Sequence, residues 1–278
     1  MKTEKLAQKA WQRLVGFLLF LNLCFPGGRA LLCAQEGQPA LPPPALTGQA
    51  SESPAARPPL TLEGRADICM ARKSYEDAVD YYYRALKESH FSSAVMWNKL
   101  GIAYQQLLNY RASRQAYSHA LRQQKDYSEP LNNIGTTYFL QNKYGKSVKY
   151  YVRAIKLNPN SASYHVNLGT SYYHLKRYEE YAHEYRIALS INPNVFSERS
   201  SVGTTIQARA ADPEFYFYLA KVFASLGRPE EAVRTLRRAL EDGFKDRKRI
   251  LEDPDFMKIS QNPAYVQLMN NPPVAIKD

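Results

Sequence analysis

Trp97-Asn98-Lys99-Leu100-Gly101-Ile102-Ala103-Tyr104 returns with its spacing intact as Leu131-Asn132-Asn133-Ile134-Gly135-Thr136-Thr137-Tyr138, and again as His165-Val166-Asn167-Leu168-Gly169-Thr170-Ser171-Tyr172. The period is 34 residues, and each phrase is followed at matched offsets by a tyrosine and an alanine: Tyr117 and Ala120, Tyr151 and Ala154, Tyr185 and Ala188. The last two units close on Asn158-Pro159-Asn160 and Asn192-Pro193-Asn194. A fixed period of this length marks stacked helical hairpins.

Within a unit, apolar and small residues recur at helical spacing, so each unit reads as two helices, A and B. Leu100, Ile134 and Leu168 lie one turn before Tyr104, Tyr138 and Tyr172 on one face of helix A. Gly101, Gly135 and Gly169 lack a Cβ and let helix B approach closely, which explains a residue that costs a helix about 1 kcal/mol. Ala120, Ala154 and Ala188 serve the same contact from helix B, with the three tyrosines beside them. The closing proline has no amide hydrogen and stops helix B. One hairpin cannot bury its own apolar face, so the units must stack.

These residues resemble the tetratricopeptide repeat family over 94–195, in units 94–127, 128–161 and 162–194. Outer units extend the resemblance. Residues 59–93 carry Ala66, Ala78, Tyr82 and Ala85, one residue out of phase, and 213–246 carry Leu219, Ala220, Phe223, Gly227, Ala232 and Ala239. The resemblance implies an all-α, right-handed superhelical solenoid of stacked helix-turn-helix repeats. The sequence departs from the family at Ser113, Ser147 and Tyr181, where a small alanine is usual. Tyr181 is expected to distort local packing or to line a surface. Cys69 falls at the place of Tyr104 and reads as a core residue.

Outside the repeats, Lys2, Lys5, Lys9 and Arg13 precede an apolar run, Leu14 to Phe25, about a dozen residues long and too short to span a bilayer. This pattern predicts a signal peptide over 1–34, cleaved after Ala34 or Ala30, and an exported protein, periplasmic or secreted. A retained N-terminal membrane anchor is the alternative. Residues 35–58, with Pro42-Pro43-Pro44, read as an extended linker. Removing the leader's five Lys/Arg and one Glu from totals of 37 and 26 lowers the net charge from +11 to +7. That balance suits acidic partners or anionic envelope surfaces. No nucleic-acid module is visible. Residues 195–212 form an irregular insert without repeat landmarks, either a functional loop or irregular packing. Over 247–278, Asp253-Pro254 and Asn262-Pro263 announce two short helices. Phe256, Met257, Ile259, Tyr265, Leu268 and Met269 would then cap the end of the stack.

In the resembling family the A helices line a concave groove that usually takes peptides or extended segments. Carried onto this chain by offset from the glycine, that groove comprises Asn98, Lys99, Ile102 and Gln106; Asn132, Asn133, Thr136 and Phe139; and Asn167, Thr170, Tyr173 and His174. A row of side-chain amides can donate to and accept from the main chain of an extended ligand. Phe139 and Tyr173 would anchor it through apolar contact, next to Leu140 and His174. The lysine-and-arginine set with which some members grip a C-terminal carboxylate is reduced here to Lys99 and the asparagines. The chain has no phosphate loop, zinc-type cysteine pair or nucleophile elbow, and its five histidines are scattered. The reading is a non-catalytic, cofactor-free scaffold of the cell envelope that binds a polypeptide partner in the groove. Its alternative is a self-associating assembly factor that uses the 195–211 insert and the open ends of the stack. Sugar recognition through the tyrosine-rich surface ranks below both.

Overall fold

A computed structural model of the chain describes residues 60–196 and 212–275. The expected leader (1–34), the linker (35–58) and most of the 195–212 insert lie outside the described residues. Ten helices pair in chain order: α1 (Leu62–Ala71) with α2 (Tyr75–Glu88), α3 (Ala94–Gln106) with α4 (Tyr110–Gln123), and α5 (Ser128–Leu140) with α6 (Tyr144–Leu157). Next come α7 (Ala162–His174) with α8 (Tyr178–Ile191) and α9 (Pro213–Ser225) with α10 (Pro229–Glu241). Among the described residues there is no strand, and no helix is long and apolar enough to cross a membrane.

The turn from helix A to helix B is one device used five times. Lys73, Leu108, Asn142, Lys176 and Gly227 stand at equivalent places with φ of 58° to 67°. The next amide in each reaches back five residues, as in Asn109 N to Tyr104 O at 2.9 Å, Lys143 to Tyr138 at 2.9 Å and Arg228 to Phe223 at 3.0 Å. This is the Schellman closure, which satisfies carbonyls left over at a helix end. Helix starts carry their own signals: Thr61, Ser93, Asn109 and Asp212 each accept an amide of the first turn. At the far end, α6 and α8 stop at Leu157 and Ile191, one residue short of Asn-Pro, where a following proline disfavours helical backbone.

Inside each of the three central hairpins the glycine faces its tyrosine directly. A Cβ placed on Gly101, Gly135 or Gly169 would come within 2.4 to 2.6 Å of the ring of Tyr117, Tyr151 or Tyr185. All three rings are buried, as are Ala120, Ala154 and Ala188. Each phenol is then held by helix A: Tyr151 pairs with Thr136 Oγ1 at 3.1 Å, Tyr185 with Thr170 Oγ1 at 2.8 Å, and Tyr117 donates to Gln105 Oε1 at 3.3 Å. In the first hairpin Tyr82 donates to Asp67 instead. In the fifth, Ala220 and Leu236 occupy the two places, both buried.

Tyr181 neither lies on the surface nor points outward. It is fully buried between hairpins four and five, against Tyr173, Tyr185, Phe215 and Tyr218. There α8 and α9 share a smaller backbone contact than any earlier helix B and following helix A. Aromatic rings fill this joint, with Tyr178 stacked on Tyr218 at 4.2 Å. Cys69, expected in the core, is half-buried at the edge of the first hairpin's cluster.

Three helices, not two, follow the fifth hairpin: α11 (Arg247–Glu252), α12 (Pro254–Met257) and α13 (Pro263–Asn270). Asp253 and Asn262 cap α12 and α13 with proline at the first turn. Phe256, Ile259, Tyr265, Leu268 and Met269 are buried within the cluster that includes α9 and α10, whereas Met257 is 55% exposed. Lys221 of α9 ties Asp253 at 2.8 Å.

Candidate functional site

Successive A helices touch one another, α3 with α5 and α5 with α7, while each B helix packs on the A helix before and after it. The A helices therefore form the inner, closer-spaced wall. Helical geometry puts the sixth residue of each unit beside the fifth residue of the unit before, and the side chains there are matched. Lys99 Nζ meets Glu63 Oε1 at 2.9 Å. Asn133 Nδ2 donates to Asn98 Oδ1 at 3.1 Å, and Asn167 Nδ2 donates to Asn132 Oδ1 at 2.9 Å. Asn132 Nδ2 also donates to Asn133 Oδ1 at 3.2 Å, so one chain of amides crosses three repeats. Asn98, Asn132, Asn133 and Asn167 are all buried.

The structure thus divides the twelve groove residues expected from sequence into two groups. Eight are buried: the four asparagines, Thr136 and Thr170, which hold the packing tyrosines, and Phe139 and Tyr173. Phe139 packs edge-on to Tyr144 and His174, at 5.2 Å each. Tyr173 donates to Asp212 Oδ2 at 2.6 Å, the same carboxylate that caps α9 through its other oxygen. Burial first, and then Asp212, push the Tyr173 phenol far above its ordinary pKa, so it stays a neutral donor. Lys99 and Ile102 are half-buried, and Gln106 and His174 are exposed.

Lys99 does not present an open charge. Asp67 Oδ2 lies 2.8 Å from its Nζ and Glu63 stands on the other side. Burial alone would lower its pKa, but hydrogen bonds to Asp67 and Glu63 outweigh that and raise it. The lysine is a permanent cation already paired.

At the end of α5 it is Leu140, 45% exposed, that faces outward, while Phe139 is 8% exposed. Gln106, Leu140 and His174 end their A helices exactly one period apart and are the exposed row of the inner wall. Val95, 48% exposed, shares the face of α3 with Lys99, Ile102 and Gln106 by its spacing. The 34-residue register that exposes Gln106 and His174 also contains Leu140, so the signal was present.

The histidines make no common site. His165 is buried, with Nδ1 2.6 Å from Glu184 Oε2 and Nε2 3.0 Å from the Pro159 carbonyl. Burial lowers its pKa, but Glu184 and Pro159 outweigh burial and raise it. His119 stacks on Trp97 at 4.2 Å and His174 on Tyr144 at 4.5 Å. Among the described residues no cluster of His, Cys, Asp and Glu is placed to hold a metal ion.

Comparison with curated proteins finds no match. Among solved structures, the crystal structure of MamA is similar over 64% of this chain and 93% of its own, with 19% identity and a TM-score of 0.46. YrrB, described as a TPR protein with an unusual peptide-binding site, is similar over 72% and 90%, with 16% identity and a TM-score of 0.44. MamA from Desulfovibrio magneticus RS-1 is similar over 69% and 96%, with 14% identity and a TM-score of 0.47. Family profiles described as TPR repeat and tetratricopeptide repeat match residues 135–176, 162–195 and 202–246. With the glycine–tyrosine contacts and the five Schellman turns, these family profiles show that the chain carries tetratricopeptide repeats.

Proposed function

We propose that this chain is a non-catalytic scaffold of the cell envelope that holds a polypeptide partner against its inner wall. The observation that carries the reading is the exposed row Gln106, Leu140 and His174, one residue per repeat on three adjoining A helices. Packed helices stand about 8–10 Å apart, and an extended chain rises about 3.3 Å per residue. Every third residue of an extended partner therefore meets one member of the row. The row offers an amide, an apolar side chain and an imidazole, a graded surface for side chains of the partner. The amide chain beneath it fixes the spacing of the helices, so the asparagines act as the wall's frame and the exposed row as its contact. Export rests on the basic-then-apolar pattern of residues 2–25.

Photo-cross-linking in cells tests this. A benzophenone amino acid placed at 106, 140 or 174 is expected to capture the same polypeptide, and the same group at Arg237 on α10 is expected not to capture it. Capture from Arg237 alone would overturn the inner-wall reading, and adducts of the chain with itself at all sites would point to self-assembly.

A further inference from the structure

The charge of this protein is not spread over its surface. Residues 94–161 hold ten Lys and Arg against two carboxylates, Asp126 and Glu129. Seven of these cations lie on the two outer helices of the segment: Arg111, Arg114 and Arg122 on α4, and Lys146, Lys149, Arg153 and Lys156 on α6. Neither helix contains an acidic residue. Six of the seven are exposed and Arg114 is half-buried. Among the described residues none of the seven forms an ion pair.

Aromatic rings brace the seam between the two helices. Tyr138 lies under Arg114 at 4.8 Å and Lys146 at 5.7 Å, and it stacks on Tyr150 at 5.4 Å. Arg153 lies over Tyr150 at 5.4 Å. A guanidinium resting on a ring keeps its N–H edge available for a carboxylate and loses little freedom when it binds one. Seven cations unscreened by neighbours repel one another, and an anion removes that cost as it docks.

We propose that the α4–α6 outer face is a second docking surface, for a single acidic segment of a partner polypeptide. Its acidic flanks decide the class of occupant. The flanking outer helices are acidic, with Glu76, Asp77 and Asp80 exposed on α2 and Glu179 on α8, so a broad anionic sheet such as a bilayer would meet repulsion on both sides. Among the described residues the one large apolar side chain exposed on either helix is Leu157, the last residue of α6, so the cations are not interleaved with an apolar face that could insert into lipid. A strand or helix of Asp and Glu, about 10 Å across, fits the strip between those flanks. This surface is independent of the inner wall, and either can fail without the other.

The test is fluorescence anisotropy with the full chain and a fluorescein-labelled 16-residue peptide of repeated Ala-Glu-Glu-Ala, its Gln counterpart serving as control. The Glu peptide is expected to bind and to weaken as salt rises from 20 to 150 mM. Arg122→Glu/Lys149→Glu/Arg153→Glu, all at exposed positions, is expected to raise Kd at least tenfold with unchanged circular dichroism, and Arg237→Glu on α10 to leave it within twofold. Equal binding by the triple variant, or by the Gln peptide, overturns the proposal. So does failure to bind the Glu peptide when phosphatidylglycerol vesicles or a 16-nucleotide dT strand bind through the same three residues.

Discussion

Gly135→Ala is ordinarily a stabilising exchange in a helix, worth about 1 kcal/mol in propensity. Here it should do the opposite. Gly135 lies in the interior of α5 with no positive φ, so the backbone itself does not require glycine. The new Cβ would stand 2.6 Å from Tyr151 Cε1 and 2.8 Å from Cδ1. That ring is fully buried and its hydroxyl is tied to Thr136, so it cannot swing aside as the tip of a flexible chain would. Overpacking of this kind costs about 1–3 kcal/mol, and a displaced Tyr151 also surrenders a hydrogen bond worth about 1 kcal/mol. The net expectation is a loss of about 1–3 kcal/mol, or roughly 2–12 °C in melting temperature for a folded region of this size.

Two controls make the argument sharp. Gly145, in the first turn of α6, has nothing within 4 Å of an added Cβ, so Gly145→Ala should stabilise by up to about 1 kcal/mol. The fifth hairpin pairs Ala220 with Leu236 where the third pairs Gly135 with Tyr151. Gly135→Ala should therefore be far less harmful in a Tyr151→Leu background. Thermal unfolding by circular dichroism gives the sizes, and amide exchange in α5 and α6 locates them. Gly135→Ala at or above wild-type stability, with Tyr151 in place, would refute the space-filling account of the repeat glycine.

Tyr181 buries its hydroxyl with no hydrogen-bond partner among the described residues, so Tyr181→Phe should gain roughly 1 kcal/mol, and Tyr181→Ala, the residue usual at that place, should lose about 3–5 kcal/mol to a cavity. Urea midpoints separate these opposite signs. The raised pKa of His165 means its stabilising contribution is complete below its unfolded pKa of about 6.5 and is lost as pH rises through the higher folded value. The difference in melting temperature between wild type and His165→Gln should accordingly shrink from pH 6 to pH 9; a difference that grows with pH would contradict it. Gly227 sits at φ +67° with open space around it, so Gly227→Ala should cost about 1 kcal/mol through backbone strain alone, whereas Gly145→Ala should not. Asn133→Ala should destabilise the stack by about 1–3 kcal/mol, because Asn98 and Asn132 lose their bonded partner. If it leaves melting unchanged, the amide chain is not the frame of the wall.

The fold was legible because the same few residues solve the same packing problem in every hairpin. Gly101, Gly135 and Gly169 with their tyrosines and alanines state the contact three times, and Ala66 with Tyr82 and Ala220 with Leu236 restate it in altered letters. What periodicity could not convey was how the repeats would treat exceptions. Tyr181 stands where its counterparts Ala78, Ser113, Ser147 and Ala232 are small, and a period of 34 says nothing about the joint beyond it, where 51 residues separate Gly169 from Ala220. The bulk is absorbed there by Phe215 and Tyr218, which come from a helix outside the regular spacing.

The site was less legible for a reason rooted in the chemistry of the amide. A side chain that both donates and accepts serves a ligand backbone and a neighbouring amide equally well, so residue type at a groove position could not choose between them. The choice is visible only across repeats. Glu63 with Lys99, Asn98 with Asn133 and Asn132 with Asn167 are complementary pairs 35 or 36 residues apart, one or two beyond the period, which is the offset between the fifth residue of one unit and the sixth of the next. Residues complementary at the offset of a neighbouring helix hold the helices together, whereas Gln106, Leu140 and His174 share the period without complementary chemistry and stand exposed at the ends of their A helices. Complementarity at that offset, and not recurrence at the period, is the sequence sign of a side chain that frames the wall.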